Sequence, residues 1–255
     1  MSARPAEETE LHTRILRCTL AATESQAYWE HIDLAEVPER RNLRAFEERW
    51  FGTKSQARVK QLLANLSARF DAHPESLAVL RAWTNMAPPT RRAICHWHLQ
   101  FSDPIYRRFT GEMLIERRKG ARPEIDRDVV SRWVEQQSEG RWAPATRNAF
   151  ATKLLSTALE VGFVGRRDPR PLSYPRVDDD ALAYVLHFLR TVEIRGSLVE
   201  NPYLASVGLS GPFLEQRLRG LPGLIYGRVG DVVDLEWSEP DRHAWGRTQE
   251  RAVSR

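Results

Sequence analysis

Apolar residues recur every three to four positions through the first half of the chain. "TKSQARVKQLLANLSARF" places Val59, Leu62, Leu63, Leu66 and Phe70 on one helical face, and Thr53 with Gln56 has the T-x-x-Q spacing of a capping box. Upstream, Leu11, Ile15, Cys18 and Leu20 are spaced as in a helix. "PESLAVLRAW" and "PPTRRAICHWHLQF" open on proline, which suits a first helical turn. "DPIYRRFTGEMLIERRKGARP" reads as another helix, ended by Gly120 and Pro123. No run here alternates as a strand does. A polar tail over 1–9 and an all-helical domain over 10–120 are expected.

The pattern changes after that point. "PEIDRDVVSRWVEQQ" puts Ile125, Val129, Val130, Trp133 and Val134 on one helical face. A second helix follows, with Pro144 in its first turn and Gly162 as its stop. "FVGRRDPRPLSYPRV" is too rich in Gly and Pro for helix and fits a short β-ribbon. "DDDALAYVLHFLRTV" resumes as helix, its acids at the positive end of the dipole. Two helices and a basic ribbon over 121–195 have the plan of a winged helix-turn-helix. Residues 196–238 repeat it in miniature: a short helix capped by Ser210, then two β-rich runs around Gly230-Asp231, a type II′ hairpin pair. Residues 239–255 read as a flexible tail. The expected fold is therefore mainly α, an N-terminal helical bundle followed by winged-helix-like modules with short β-hairpins.

Composition narrows the function classes. The chain has 255 residues, 42% of them apolar, and eight Trp, so it is long and apolar enough to bury a core. Apolar runs stay well under the roughly 20 residues of a spanning helix, and the opening "MSARPAEETE" is polar, so a cytoplasmic protein with no membrane partner is expected. Cys18 and Cys95 lie far apart without a CxxC pair, which argues against a disulfide framework or zinc site. The net charge is only +4, but all except four of the 38 basic residues are Arg. Arg is the fork-shaped donor that phosphates and base edges favour. A genome that writes Arg for Lys throughout would give the same excess.

The helix starting at Pro144 carries the sharpest signal. At 100° per residue, Phe150, Ala151, Leu154, Leu155, Ala158 and Val161 fall within a core sector of about 140°. Opposite lie Asn148, Ala149, Thr152, Lys153 and Ser156, with Thr146 and Thr157 at the margin and the single acid, Glu160, at the far end. Small polar side chains let a helix approach base edges, and Asn can pair bidentately with adenine. Arg147, in the first turn, is placed to reach toward phosphate. Arg166, Arg167 and Arg170 in the ribbon would contact the backbone or enter the minor groove. Lys54 and Arg58, among the basic residues of 40–60, and Arg117, Arg118 and Lys119, among those of 107–122, extend the candidate DNA-binding set. A solvated or protein-docking helix face, with local ion pairs in the basic segments, is the plainer account of the same residues.

Catalytic chemistry finds little support. "CHWH" brings Cys95, His96 and His98 together, yet positions i and i+2 of a helix face different ways, so core and rim roles are expected instead of a metal site. Asp178, Asp179 and Asp180 lack a matching acidic cluster and read as a helix cap. No GxxxxGK[ST], GxSxG or GxGxxG stretch occurs. The expectation is a non-enzymatic protein with no catalytic residue, cofactor, metal or small-molecule substrate.

From about residue 10 to 237, the succession "RWFGTKSQARVKQLLANLSARF", "DPIYRRFTGEMLIERR", "WAPATRNAFATKLLSTALEVGF" and "LIYGRVGDVVDLEW" resembles the BrxA family, a small core component of BREX bacteriophage-exclusion systems. The W-x-P-x-T start of the long helix carries most of the likeness. The resemblance implies a mainly α-helical, non-enzymatic protein with winged-helix-like parts. It would bind double-stranded DNA in phage defence, beside a methyltransferase and other BREX components. An inner-membrane label given to members does not suit a chain with no spanning segment. Where the family's helix often has a Ser cap, this chain has Ala143. Two other readings stay open: an interaction scaffold that assembles defence proteins, and a winged-helix regulator of the defence operon. A regulator would normally be dimeric, and no heptad seam is evident.

Overall fold

Proline sits in the first turn of seven of the described helices, where its fixed φ is already helical and its missing N–H costs nothing. A computed structural model describes residues 4–229 and 232–237. Its helices are α1 (Arg14–Arg17), α2 (Ala22–His31), α3 (Pro38–Glu47), α4 (Gln56–Phe70), α5 (Pro74–Ala82), α6 (Pro88–Ser102) and α7 (Pro104–Arg108). A π-helical turn, Phe109–Met113, leads without a break into α8 (Leu114–Arg118). Then come β1 (Glu124–Ile125), α9 (Arg127–Gln137), α10 (Pro144–Val161), β2 (Arg170–Pro171), α11 (Asp179–Leu189), α12 (Pro202–Ser206), α13 (Gly211–Arg219), β3 (Leu224–Val229) and β4 (Val232–Trp237). The fold is mainly α with two small antiparallel sheets, as expected.

Several local expectations change. The expected first helix breaks between α1 and α2, where Ala21 takes a left-handed φ of 51°. Arg69 compensates from inside the core: its guanidinium donates to the carbonyls of Cys18, Thr19 and Leu20 at 2.7, 2.6 and 3.0 Å. Helix α4 is capped by Ser55, whose hydroxyl accepts from the Arg58 amide, and not by Thr53, because Gln56 is its first residue and not its third. Ile125 belongs to β1, with Asp126 capping α9 behind it. Ser210 occupies the cap position of α13 but makes no capping bond. Asp178 does cap α11, accepting from the Ala181 amide at 2.8 Å. The Gly230-Asp231 turn and residues 239–255 lie outside the described residues.

Helix α6 lies at the centre of the core. Every residue from Ala93 to Ser102 is buried, and α2, α4, α7, α10 and α11 pack around it. A helix surrounded in this way must settle its polar groups internally. His96 shares hydrogen bonds with the Tyr106 hydroxyl at 2.9 Å and the Ser206 hydroxyl at 3.0 Å. His98 pairs with the Tyr184 hydroxyl at 2.7 Å, and Trp97 donates to the Tyr203 carbonyl at 3.1 Å. The bonds to Ser206, Tyr184 and Tyr203 join segments on either side of residue 120, and one apolar cluster runs through both. The opening residues, expected as a polar tail, are also tied in from Pro5 onward. The Pro5 carbonyl accepts from Glu193 at 2.8 Å, the Glu8 amide donates to Phe101 at 3.1 Å, and Glu7 accepts from the Tyr203 hydroxyl at 2.8 Å.

The small sheets position the ribbon and the C-terminal hairpin. β1 pairs antiparallel with β2, Glu124 opposite Pro171 and Ile125 opposite Arg170. Val164 bridges Leu172, and the Gly165 and Ser173 amides donate to the Pro171 and Phe163 carbonyls, both at 2.9 Å. Residues 163–165 and 171–173 are thus the two arms of a hairpin with 166–170 at its tip. The order helix, strand, two helices, then a hairpin whose return arm pairs with the first strand, is winged-helix-like. β3 and β4 form the second hairpin, and Trp237 at its end packs on His187 and Arg190 beside α11.

Candidate nucleic-acid interface

Helix α10 owes its length to Pro144 at one end and Gly162 at the other, where φ of 101° closes it with a bond to the Ala158 carbonyl. The expected core sector, Phe150, Ala151, Leu154, Leu155, Ala158 and Val161, is buried, and Trp142 stacks on Phe150 with centroids 4.1 Å apart. Thr157, expected at the margin of the polar face, is buried as well, its hydroxyl donating to the Lys153 carbonyl at 2.7 Å. Asn148, Ala149, Thr152, Lys153 and Ser156 are exposed along one side, and Thr146 is half-buried at its edge. Glu160 lies in the last turn of α10, where partial burial raises its pKa and the Ala22 amide at the start of α2 acts to lower it. No acid side chain therefore interrupts the first four turns of the exposed face.

Arg147 takes a different role from the one expected. It sits at about 60° from Phe150, inside the core sector, and forms an ion pair with Glu135 of α9. It holds the two helices together and is not left free for a phosphate. Asn148 is tied to α9 too, its Oδ1 accepting from the Ser131 hydroxyl at 2.9 Å. Ser131 is the residue that reading α10 alone misses. The signal available was that the preceding helix of a helix-turn-helix must border the exposed face of the next.

At the hairpin tip, Arg166 and Arg167 are exposed and make no hydrogen bond or ion pair among the described residues. Arg170 is half-buried and donates to the Gly165 carbonyl at 3.3 Å, so it braces the hairpin. Between the tip, α10 and the start of α9 lies a cleft of about 680 Å³ lined by Asp126, Asp128 and Asp168 as well as Arg127, Arg170 and Thr152. Asp126 is engaged as the cap of α9, accepting from the Val129 amide at 2.8 Å. The other two carboxylates oppose the arginines, so the cleft is a poorer place for a phosphate than the outer edge of the tip.

The remaining candidates do not join this face. Arg118 lies beneath the hairpin, donating to the Ser173 carbonyl at 2.7 Å, with its guanidinium 4.1 Å from the Tyr174 ring centroid and 5.6 Å from that of Phe163. Burial lowers its pKa from the ordinary value. Arg117 donates to the Glu124 carbonyl of β1 at 2.8 Å, and Lys119 pairs with Glu116 at 2.9 Å. Lys54 pairs with Glu24 at 3.6 Å. Arg58 is engaged elsewhere, donating to the carbonyl of Arg17, the last residue of α1, at 2.8 Å and to the Gln61 side chain. Among the described residues no group of three or more His, Cys, Asp or Glu could hold a metal ion, and no helix is long and apolar enough to cross a membrane.

These elements define a mainly α-helical protein whose winged-helix-like module exposes one polar helix face beside a basic hairpin tip. The fold is similar to that in the crystal structure of an uncharacterized protein from Magnetospirillum magneticum, with a TM-score of 0.60 and 16% identity over 78% of this chain and 98% of that one. No protein-family model matches the chain, and no curated protein does. The likeness concerns the fold alone.

Proposed function

We propose that this chain is a non-enzymatic, cytoplasmic protein that binds duplex DNA, with α10 in the major groove and Arg166 and Arg167 on the flanking backbone. One observation carries the reading: the exposed face of α10 is short, hydrogen-bonding and free of acids over four turns, and it stands beside two unpaired arginines. An ordinary solvated face carries long charged side chains of both signs. The sequence phrases that resemble BrxA support a place for the protein in a BREX-type defence system, alongside other components of that system. The test is a mobility-shift titration with mixed-sequence duplex at several salt concentrations. Binding that weakens steeply with salt supports the reading; no binding at about 50 mM salt defeats it.

A second reading has its own observation. Leu34, Val37, Leu43 and Phe46, all within 13 residues of chain on and just before α3, are exposed. Exposed apolar side chains close in sequence favour a protein-docking role, as in a scaffold for defence components. The two readings use different faces, so replacing Leu43 and Phe46 with Ser would leave DNA binding intact.

A further inference from the structure

Helix α8 ends on two consecutive arginines whose guanidinium groups donate to the backbone of the following module. Arg117 donates to the Glu124 carbonyl of β1 at 2.8 Å, and Arg118 donates to the Ser173 carbonyl on the return arm of the hairpin at 2.7 Å. Arg118 also meets the outgoing arm. Its guanidinium lies 5.6 Å from the Phe163 ring centroid as well as 4.1 Å from that of Tyr174. Phe163 is wholly buried and stands edge-on to His96, centroids 4.9 Å apart, so the root of the outgoing arm is seated in the core around α6. On the return arm, Gly208 approaches the Tyr174 ring so closely that a Cβ there would come within 2.9 Å of it. One cation therefore touches both roots of the hairpin, and each root rests on a packed surface.

No carboxylate pairs with Arg118 among the described residues, and burial lowers its pKa. A cation in that setting costs desolvation free energy, which the two rings and the carbonyl offset. Filling the space gives no reason for a guanidinium, since Met would fill it without that cost. What the guanidinium adds is a directional bond to one arm and ring contacts to both. The hairpin needs such support. Its arms share the Val164–Leu172 bridge and the bonds from Gly165 to Pro171 and from Ser173 to Phe163, and so short a ribbon is marginal by itself. Arg166 and Arg167 follow directly on Gly165.

We infer that Arg118 is a positioning residue: it pins both arms of the hairpin to α8 and so holds the Arg166–Arg167 tip in place without itself touching a phosphate. The consequence for DNA rests on the duplex reading above; the pin itself does not.

The experiment compares the parent with Arg118→Met in two measurements on the full-length chain. In amide hydrogen exchange without DNA, the Gly165 and Ser173 amides should exchange at least about tenfold faster in the variant, with those of α6 unchanged. In a salt titration on mixed-sequence duplex, the slope should flatten by up to about 1.8, as it should when Arg166 and Arg167 are replaced, and all three changes together should flatten it no further. Should Arg118→Met fail to fold, Arg118→Lys, which keeps the charge without the planar fork, carries the same two readouts. Unchanged exchange in a folded variant overturns the pin. Faster exchange with the parent's slope overturns its role in holding the tip. A further loss of about 0.9 on top of the Arg166 and Arg167 changes also overturns the inference, because Arg118 would then be a phosphate contact itself. A parent that binds no duplex at about 50 mM salt overturns the duplex reading, and the exchange rates still decide the pin.

Discussion

Replacing Arg166 and Arg167 together with Ala tests the interface most directly. Both side chains are exposed and unpaired at the hairpin tip, so their removal breaks no internal bond. The variant should melt within about 0.5 kcal/mol of the parent. Each phosphate neutralised contributes about 0.9 to the log–log salt slope, so two lost contacts should flatten it by up to about 1.8. A fourfold rise in salt, from about 50 to 200 mM, should then cost the parent up to about twelvefold more affinity than the variant. The two titration curves converge as salt rises. Arg170→Ala is the control: it removes the bond to the Gly165 carbonyl, so it should destabilise the hairpin by about 0.5–1.5 kcal/mol with little change in slope. Mobility shift or fluorescence anisotropy across the salt series gives the slopes, and thermal melts report the fold. A folded double variant with the parent's slope would refute the assignment of the tip to the DNA backbone.

Other consequences of the structure are open to stability measurements. Arg69→Met leaves the carbonyls of Cys18, Thr19 and Leu20 without their donor, and should cost about 3–5 kcal/mol in urea unfolding; a loss under about 1 kcal/mol contradicts its role in closing the helix break. Gly208→Ala should destabilise by at least about 1–2 kcal/mol, since φ is +81° and the new Cβ would lie 2.9 Å from the Tyr174 ring; a melting temperature equal to the parent's would show that the close approach is not there. Burial pushes the His96 pKa from its ordinary 6.5 down to about 3. Below pH 6.5 the unfolded chain therefore takes a proton that the folded chain refuses until about pH 3. The stability held above the upper value is lost progressively across that window as pH falls. His96→Gln should show a shallower loss in urea titrations between those limits, and an unchanged pH slope would rule His96 out as the source.

The proline starts, the Gly162 stop and the buried face of α10 were legible in the sequence because they depend on local backbone geometry and a 3.6-residue period. The same is true of the hairpin at 163–173, where Gly and Pro exclude helix and the chain has few other options. The exposed face of α10 was legible for the same reason, since whatever lies opposite a continuous apolar sector must look outward. Periodicity also implied helix across Cys18–Leu20, where the structure has a break, because the residue that makes the break tolerable, Arg69, arrives from about 50 positions away.

Only the tertiary structure decided which polar side chains were already spent. Arg147, Arg118 and Arg170 look alike in sequence to Arg166 and Arg167. The first meets Glu135, the second lies under the Ser173 carbonyl between two aromatic rings, and the third braces Gly165. A long cationic side chain reaches several ångströms in many directions, so its partner is set by whichever element packs nearby and not by its place in the helical period. Asn148 makes the same point more finely. Its position on α10 follows from the chain's own rhythm, but the direction of its amide is set by a hydroxyl on α9 that only helix–helix packing brings within 2.9 Å.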